Sequence, residues 1–170
     1  MKKRYSIRGF TLVELIVVLA ILGVFLSFAL PSFRHSLQTN KFVANSNQLA
    51  AALKYARTEA LKRRAAVTVC GLNAAKTACS GSTDWGANGF GALDSSSNIL
   101  KVWLEPTQYD DLTMTSSSAS ATYASSGMLN SGSAIGVRIA FTDVTDNRCV
   151  EISTTGRVNT QTIQLTDSCP

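Results

Sequence analysis

The most constraining feature of this sequence is an apolar run of twenty-one residues, from Phe10 to Leu30, that carries a single charge, Glu14. At 1.5 Å per residue, a helix of this length spans about 32 Å, which matches the hydrocarbon core of a bilayer. A secretory signal core is usually only about 7–15 residues long, and no small-x-small cleavage site follows this run. The run therefore predicts a helix that stays in the mature protein and spans a membrane.

Glu14 distinguishes a helix that only anchors the chain in the membrane from a helix that has a further function. An ionised carboxylate inside an apolar membrane helix costs about 2.5–3.5 kcal/mol on insertion scales, so it usually marks a function. Residues 9–14, GFTLVE, follow a basic segment and resemble the prepilin motif of type IV pilins and type II secretion pseudopilins. The resemblance implies that prepilin peptidase cuts after Gly9, removes residues 1–9 as a leader, and methylates the new N-terminus at Phe10.

The same resemblance implies an assembly role for the helix. Cleavage creates a positive amine on Phe10, and a charge buried among apolar helices needs a partner. In the family, Glu14 of an incoming subunit neutralises the Phe10 amine of its neighbour, so other minor and major pilins are the expected partners. Pro31 matches the family pattern of a proline at which the long helix continues beyond the membrane.

Basic residues ahead of the apolar run decide the orientation. The leader holds four of the 16 Lys and Arg residues, and without them 12 remain against 11 Asp and Glu. The mature chain is close to neutral, so the net charge of +5 is no argument for nucleic acid. Under the positive-inside rule, the N-terminus stays cytoplasmic. We expect a single pass of the inner membrane, a periplasmic head, and later a place in the cell-surface pilus.

Behind the membrane half, the sequence predicts an amphipathic helical half over 31–64 and a β-rich head over 65–170 that packs on it. Apolar residues recur at Leu49, Leu53, Ala56 and Ala60, which places them on one helix face. The strand predictions are 66–70, 98–104, 135–141, 149–153 and 162–165, and long loops are predicted over 80–91 and 113–133. The expected fold is α+β and pilin-like, with an antiparallel sheet.

Four cysteines, all downstream of the membrane segment, predict disulfides in an oxidising compartment. Four cysteines allow three pairings. We choose Cys70 with Cys79 and Cys149 with Cys169, because each pair closes a local loop. No pair has the spacing of a zinc site, and we expect no metal and no cofactor.

Residues 56–72, ARTEALKRRAAVTVCGL, followed by DWGANGFGALD at 84–94, resemble the GspH/FimT family. The resemblance implies a minor pilin of a type IV pilus, at or near the filament tip, that helps to prime assembly. A minor pseudopilin of type II secretion is the alternative, and two disulfides favour the pilus subunit. No Ser/His/Asp or Cys/His arrangement is available around the single His35, so an enzyme is not expected.

A second alternative is a DNA-binding minor pilin for natural transformation. FimT-type relatives bind DNA through a C-terminal G-R-x-R turn, whereas residues 156–159 read GRVN and lack the second arginine. Arg138, Arg148 and Arg157 are the candidate DNA contacts if they gather on one face. We do not favour DNA as a partner, because a turn arginine usually has a structural role.

Overall fold

The computed structural model describes residues 11–103, 112–141, 146–164 and 166–169. Gly9, Phe10 and the predicted leader lie outside the described residues. The chain divides into two compact units, Met1–Asn40 and Lys41–Pro170. Its elements are α1 Leu12–Arg63, β1 Val67–Gly71, β2 Phe90–Asp94, β3 Ile99–Trp103, β4 Leu112–Ser116, β5 Ser120–Tyr123, β6 Ile135–Phe141, β7 Asp146–Ile152 and β8 Val158–Gln164.

Helix α1 has a defined signal at each end. At its start, the Thr11 hydroxyl accepts the backbone N–H of Glu14 at 3.2 Å, which is the bond of an N-cap residue. At its end, Arg64 has a φ of 54°, and Ala65 donates its N–H to the carbonyl of Ala60 at 3.3 Å. This six-to-one bond is a Schellman motif, so α1 stops one residue before the predicted boundary.

The unit Lys41–Pro170 contains two antiparallel four-stranded sheets, in the orders β3-β2-β1-β5 and β4-β6-β7-β8. Both sheets share one core with α1. The predicted stripe of Leu49, Leu53, Ala56 and Ala60 is fully buried in this core, as the period of the helix requires. The expectation of an α+β fold, with a long helix packed on antiparallel sheets, is thereby confirmed.

The segment 113–133 was expected to be a loop, and that prediction is wrong. β4 pairs with β6, and β5 pairs with β1. Met114 and Ser116 are buried on one strand, and Ala121 and Tyr123 on the other. The alternation of a strand is present, but half of its inward positions are filled by serine and alanine, which carry little hydrophobic signal.

The predicted loop over 80–91 contains a buried anchor and the start of a strand. Trp85 is fully buried, and Phe90 begins β2. Trp85 donates its backbone N–H to Met114 at 2.9 Å, and Ser116 donates to Thr83 at 2.8 Å. The loop therefore pairs with the outer edge of β4 and covers backbone groups that would otherwise be unpaired.

Both predicted disulfides are present. Cys70 joins Cys79 with their Cα atoms 5.6 Å apart, and Cys149 joins Cys169 at 5.7 Å. The first bridge fixes the chain just after β1. The second holds the C-terminal segment against β7, where Cys149 is buried.

Candidate assembly helix and arginine turn

The N-terminal part of α1 exposes a large apolar surface. Its large hydrophobic residues from Leu12 to Leu26 are between 46% and 73% exposed. Soluble monomers rarely expose a contiguous apolar surface of this length. The one hydroxyl in this part, that of Ser27, donates to the carbonyl of Val24 at 2.7 Å. The Ser27 hydroxyl is thus satisfied within the helix, while the large apolar side chains around it stay largely exposed.

Glu14 lies in the first turn of α1, and its side chain is exposed. The Thr11 cap uses the backbone N–H of Glu14, which leaves the carboxylate available for another partner. Thr11-Leu12-Val13-Glu14 has the spacing of a capping box, a signal in the sequence that our prediction did not use. A carboxylate at this position also interacts favourably with the positive end of the helix dipole.

Pro31 lies within α1, whose backbone continues through it, as expected from the resemblance. Among the residues whose side chains the structure describes, no helix is long and apolar enough to cross a membrane. The membrane role of residues 10–30 stays a prediction.

Arg157 lies at the end of a tight turn between β7 and β8. Gly156 donates its N–H to Ser153 at 2.8 Å, and Ser153 donates to the carbonyl of Arg157 at 2.9 Å. The Ser153 hydroxyl also accepts the N–H of Arg157 at 3.1 Å. The backbone of Arg157 is therefore fixed, while its side chain is exposed.

A second turn of the same design packs against the first. Gly127 donates its N–H to Ala124 at 2.8 Å, and Ala124 donates to Met128 at 2.9 Å. Gly127 and Gly156 have φ values of 74° and 76°, a backbone conformation that favours glycine. A Cβ on Gly156 would overlap the carbonyl oxygen of Gly127. The glycine of the arginine turn is thus required by packing as well as by conformation.

The three candidate DNA-contacting arginines do not share one face. Arg138 is opposite Cys149, and Arg148 is opposite the buried Ile139. Because neighbouring residues of a strand point to opposite sides, Arg138 and Arg148 lie on opposite faces of the second sheet. Arg138 donates to the backbone carbonyl of Asp167, which ties it to the C-terminal segment. The structure therefore does not gather these residues into a single basic face.

The basic residues near the end of α1 fall into two groups, those that form an ion pair and those for which none is found in the described residues. Glu59 accepts the Nε of Arg63 at 2.6 Å and lies 3.8 Å from the Nζ of Lys62. The bond from Arg63 lowers the pKa of Glu59, although solvent screening keeps such exposed pairs weak. No ion pair is found for Arg57 or Arg64 within the described part of the chain.

Within the described residues, no group of three His, Cys, Asp or Glu side chains is arranged to hold a metal ion. The described residues contain instead a helix whose N-terminal part is apolar and carries one carboxylate, and a head cross-linked by two disulfides. Such features suit assembly between subunits more than chemistry on a small substrate.

Residues 45–156 match the family described as Type II transport protein GspH, and residues 4–30 match the Prokaryotic N-terminal methylation motif. The comparison with curated proteins gave no match.

Two crystal structures of the type IV minor pilin FimU of Pseudomonas aeruginosa are similar in fold. The first is 24% identical, with a TM-score of 0.60 over 73% of this chain and 90% of that chain. The second is 26% identical, with a TM-score of 0.55 over 69% of this chain and 90% of that chain. The chain therefore belongs to the GspH family and is a GspH/FimT-type minor pilin.

Proposed function

We propose that this minor pilin is incorporated at or near the tip of a type IV pilus and helps to prime filament assembly. In this proposal, prepilin peptidase cuts after Gly9 and methylates Phe10. Residues 10–30 hold the chain in the inner membrane until it enters the filament. The N-terminus is cytoplasmic and the head periplasmic, where the two disulfides form.

The observation that carries the assembly part of the proposal is the exposed carboxylate of Glu14, for which no partner is found among the described residues, at the start of a helix with an exposed apolar surface. The surface has to be covered, first by lipid and then by the helices of other subunits. A lone carboxylate in that setting needs a cation, and the amine of a cleaved Phe10 on a neighbouring subunit would supply it.

Processing is tested by intact-mass measurement of the full chain extracted from membranes. We expect a chain that begins at Phe10 and carries one methyl group. A chain that still includes residues 1–9, in cells with active prepilin peptidase, would show that the pilin assignment is wrong.

Position and priming need a separate experiment in the native cells. Deletion of the gene should reduce the number of surface pili, and an epitope-tagged copy should label pilus ends in immunogold images. Label spread evenly along the filament, or normal piliation in the deletion strain, would contradict the tip and priming role.

A minor pseudopilin of type II secretion remains the second candidate, because the matched family is described as a type II transport protein. The same deletion strain separates the two candidates. Loss of pili with normal secretion supports the pilus subunit, whereas loss of secretion with normal pili supports the pseudopilin.

A further inference from the structure

Two exposed apolar residues lie close to each other on the head. Leu61 is 48% exposed and Met128 is 49% exposed, and in the unit Lys41–Pro170 no other described large hydrophobic residue is exposed. Atoms of the Leu61 side chain lie 3.1–3.2 Å from the position that a Cβ on Gly127 would occupy, and Met128 is the next residue. Leu61, Gly127 and Met128 thus form one surface, which we name the Leu61–Met128 patch.

Cations border this patch on two sides. Arg57 precedes Leu61 by four residues and therefore lies on the same helix face, one turn away. Its charge lowers the pKa of the Tyr123 hydroxyl, and the Tyr123 ring lies 3.2 Å from the position that a Cβ on Gly156 would occupy. Arg157 follows Gly156, whose backbone packs against Gly127. Neither arginine forms an ion pair with any residue that the structure describes.

The acid nearest to Leu61 along α1 belongs to the other side of the helix. Glu59 is two residues away, about 200° around the axis, and it already binds Lys62 and Arg63. The Leu61–Met128 patch is therefore apolar at its centre and positive at its margin, with a half-buried Arg57 and an exposed Arg157 that have no ion pair in the described residues.

This combination fits a protein surface better than a nucleic acid. Protein interfaces have an apolar centre within a polar rim, and they are enriched in Met and Arg. A phosphate backbone binds the cations but makes no use of two exposed apolar side chains at the centre. A symmetric contact with a second copy would bring the same arginines face to face, and such like-charge contacts are unfavourable.

We infer that the Leu61–Met128 patch, bordered by Arg57 and Arg157, docks on an acidic, partly apolar surface on the head of a different pilin subunit. This inference rests on the proposed function, because it requires the chain to assemble with other subunits. It adds a contact between heads to the contact between N-terminal helices.

The test is cross-linking of the full chain in its native cells. A photo-reactive benzophenone amino acid is placed at position 128, and at exposed position 96 in the β2–β3 turn as a control. We expect position 128, but not position 96, to cross-link to another protein with a prepilin motif, at a site rich in Asp or Glu.

Charge variants then test the border of the patch. Arg57→Glu with Arg157→Glu should lower the yield of this cross-link at least about tenfold, whereas Arg57→Lys with Arg157→Lys should retain most of it. Arg157→Glu alone, in an exposed turn, should give a partial loss. Formation of both disulfides in each variant confirms that its head is folded.

Three results would overturn the inference: no cross-link from position 128, a cross-link to DNA or to a second copy, or a yield that charge reversal leaves unchanged. Sheared pili from the same cells separate this inference from the proposed function. A wild-type chain that is missing from pili counts against the proposed function. A chain present in pili but without the cross-link counts only against the docking surface.

Discussion

The carbonyl oxygen of Gly127 occupies the space in which a Cβ on Gly156 would lie. Each glycine closes a turn of the same hydrogen-bonding design, one beside β5 and the other between β7 and β8. The two turns belong to different sheets. Their contact therefore joins the two sheets and holds Arg157 next to the Leu61–Met128 patch.

Gly156→Ala should destabilise the head more than its φ value alone explains. The left-handed conformation and the overlap with Gly127 both oppose a methyl group, so we expect a loss of about 2–4 kcal/mol in the free energy of unfolding. Gly132 is the matched control, since its φ is 72° and a Cβ there would meet nothing within 4 Å. Gly132→Ala should cost only about 1 kcal/mol. Equal losses in urea unfolding of the full chain in detergent would contradict the packing argument.

Much of the fold could be predicted because its signals are local. The stripe from Leu49 to Ala60 has the period of a helix, and the cysteines are close enough in sequence to favour local loops. β4 and β5 were missed because their inward positions include small or polar residues, such as Ser116 and Ala121. Their burial depends on pairing with β6 and β1, which are distant in the chain.

The candidate sites also differ in whether they depend on short sequence patterns or on pairing between distant segments. The disulfides and the position of Glu14 follow from short patterns. The separation of Arg138 from Arg148 depends on strand register, since a shift of one residue reverses the face of a side chain. The contact between Gly127 and Gly156 joins two turns that no short sequence pattern connects.

Tyr123 should make stability depend on pH in strongly alkaline solution. Its hydroxyl is buried without a hydrogen-bond partner in the described residues, and burial raises its pKa from 10.0 to about 12, against the opposing charge of Arg57. Between these two pKa values, the unfolded chain loses the proton first, so stability falls as the pH rises. At about pH 11, the loss from this group is about 1.4 kcal/mol.

Tyr123→Phe tests this account by urea unfolding at about pH 9 and about pH 11. The variant should lack that part of the alkaline loss. At neutral pH, it should be at least as stable as the wild type, because it removes a buried hydroxyl that has no described partner. A clear loss of stability at neutral pH would show that the hydroxyl has a partner.

The two disulfides should differ in their contribution to stability. Cys149 and Cys169 are separated by 20 residues, and Cys70 and Cys79 by 9. On the loop-entropy estimate, the longer loop contributes about 3.3 kcal/mol and the shorter about 2.6 kcal/mol. We expect Cys149→Ser with Cys169→Ser to lower the urea midpoint more than Cys70→Ser with Cys79→Ser. The reverse order would indicate that packing at the bridges outweighs loop entropy.

Glu14→Ala should block assembly while leaving the start of α1 intact. The Thr11 cap binds the backbone N–H of residue 14, so it survives the loss of the carboxylate. We expect normal processing and membrane insertion, with at least about a tenfold loss from sheared pili. Glu14→Gln keeps the size but not the charge and should fail equally. Wild-type incorporation of either variant would contradict a charge partner on the neighbouring subunit.

The chain should bind duplex DNA weakly or not at all at physiological salt. Arg138 and Arg148 lie on opposite faces of their sheet, and a chain cleaved after Gly9, as we propose, would be near neutral and give little long-range attraction. Restoring the second arginine of the turn, with Asn159→Arg, should add little, because residue 159 lies directly opposite Glu151 on the neighbouring strand. The new arginine would pair with that carboxylate. Binding should therefore appear only when Asn159→Arg is combined with Glu151→Gln.

Fluorescence anisotropy of a labelled duplex, titrated with the full chain in detergent at several salt concentrations, measures DNA binding by the wild type and by these variants. Tight, salt-sensitive binding by the wild type that Arg157→Gln abolishes would make the chain a DNA-binding pilin instead.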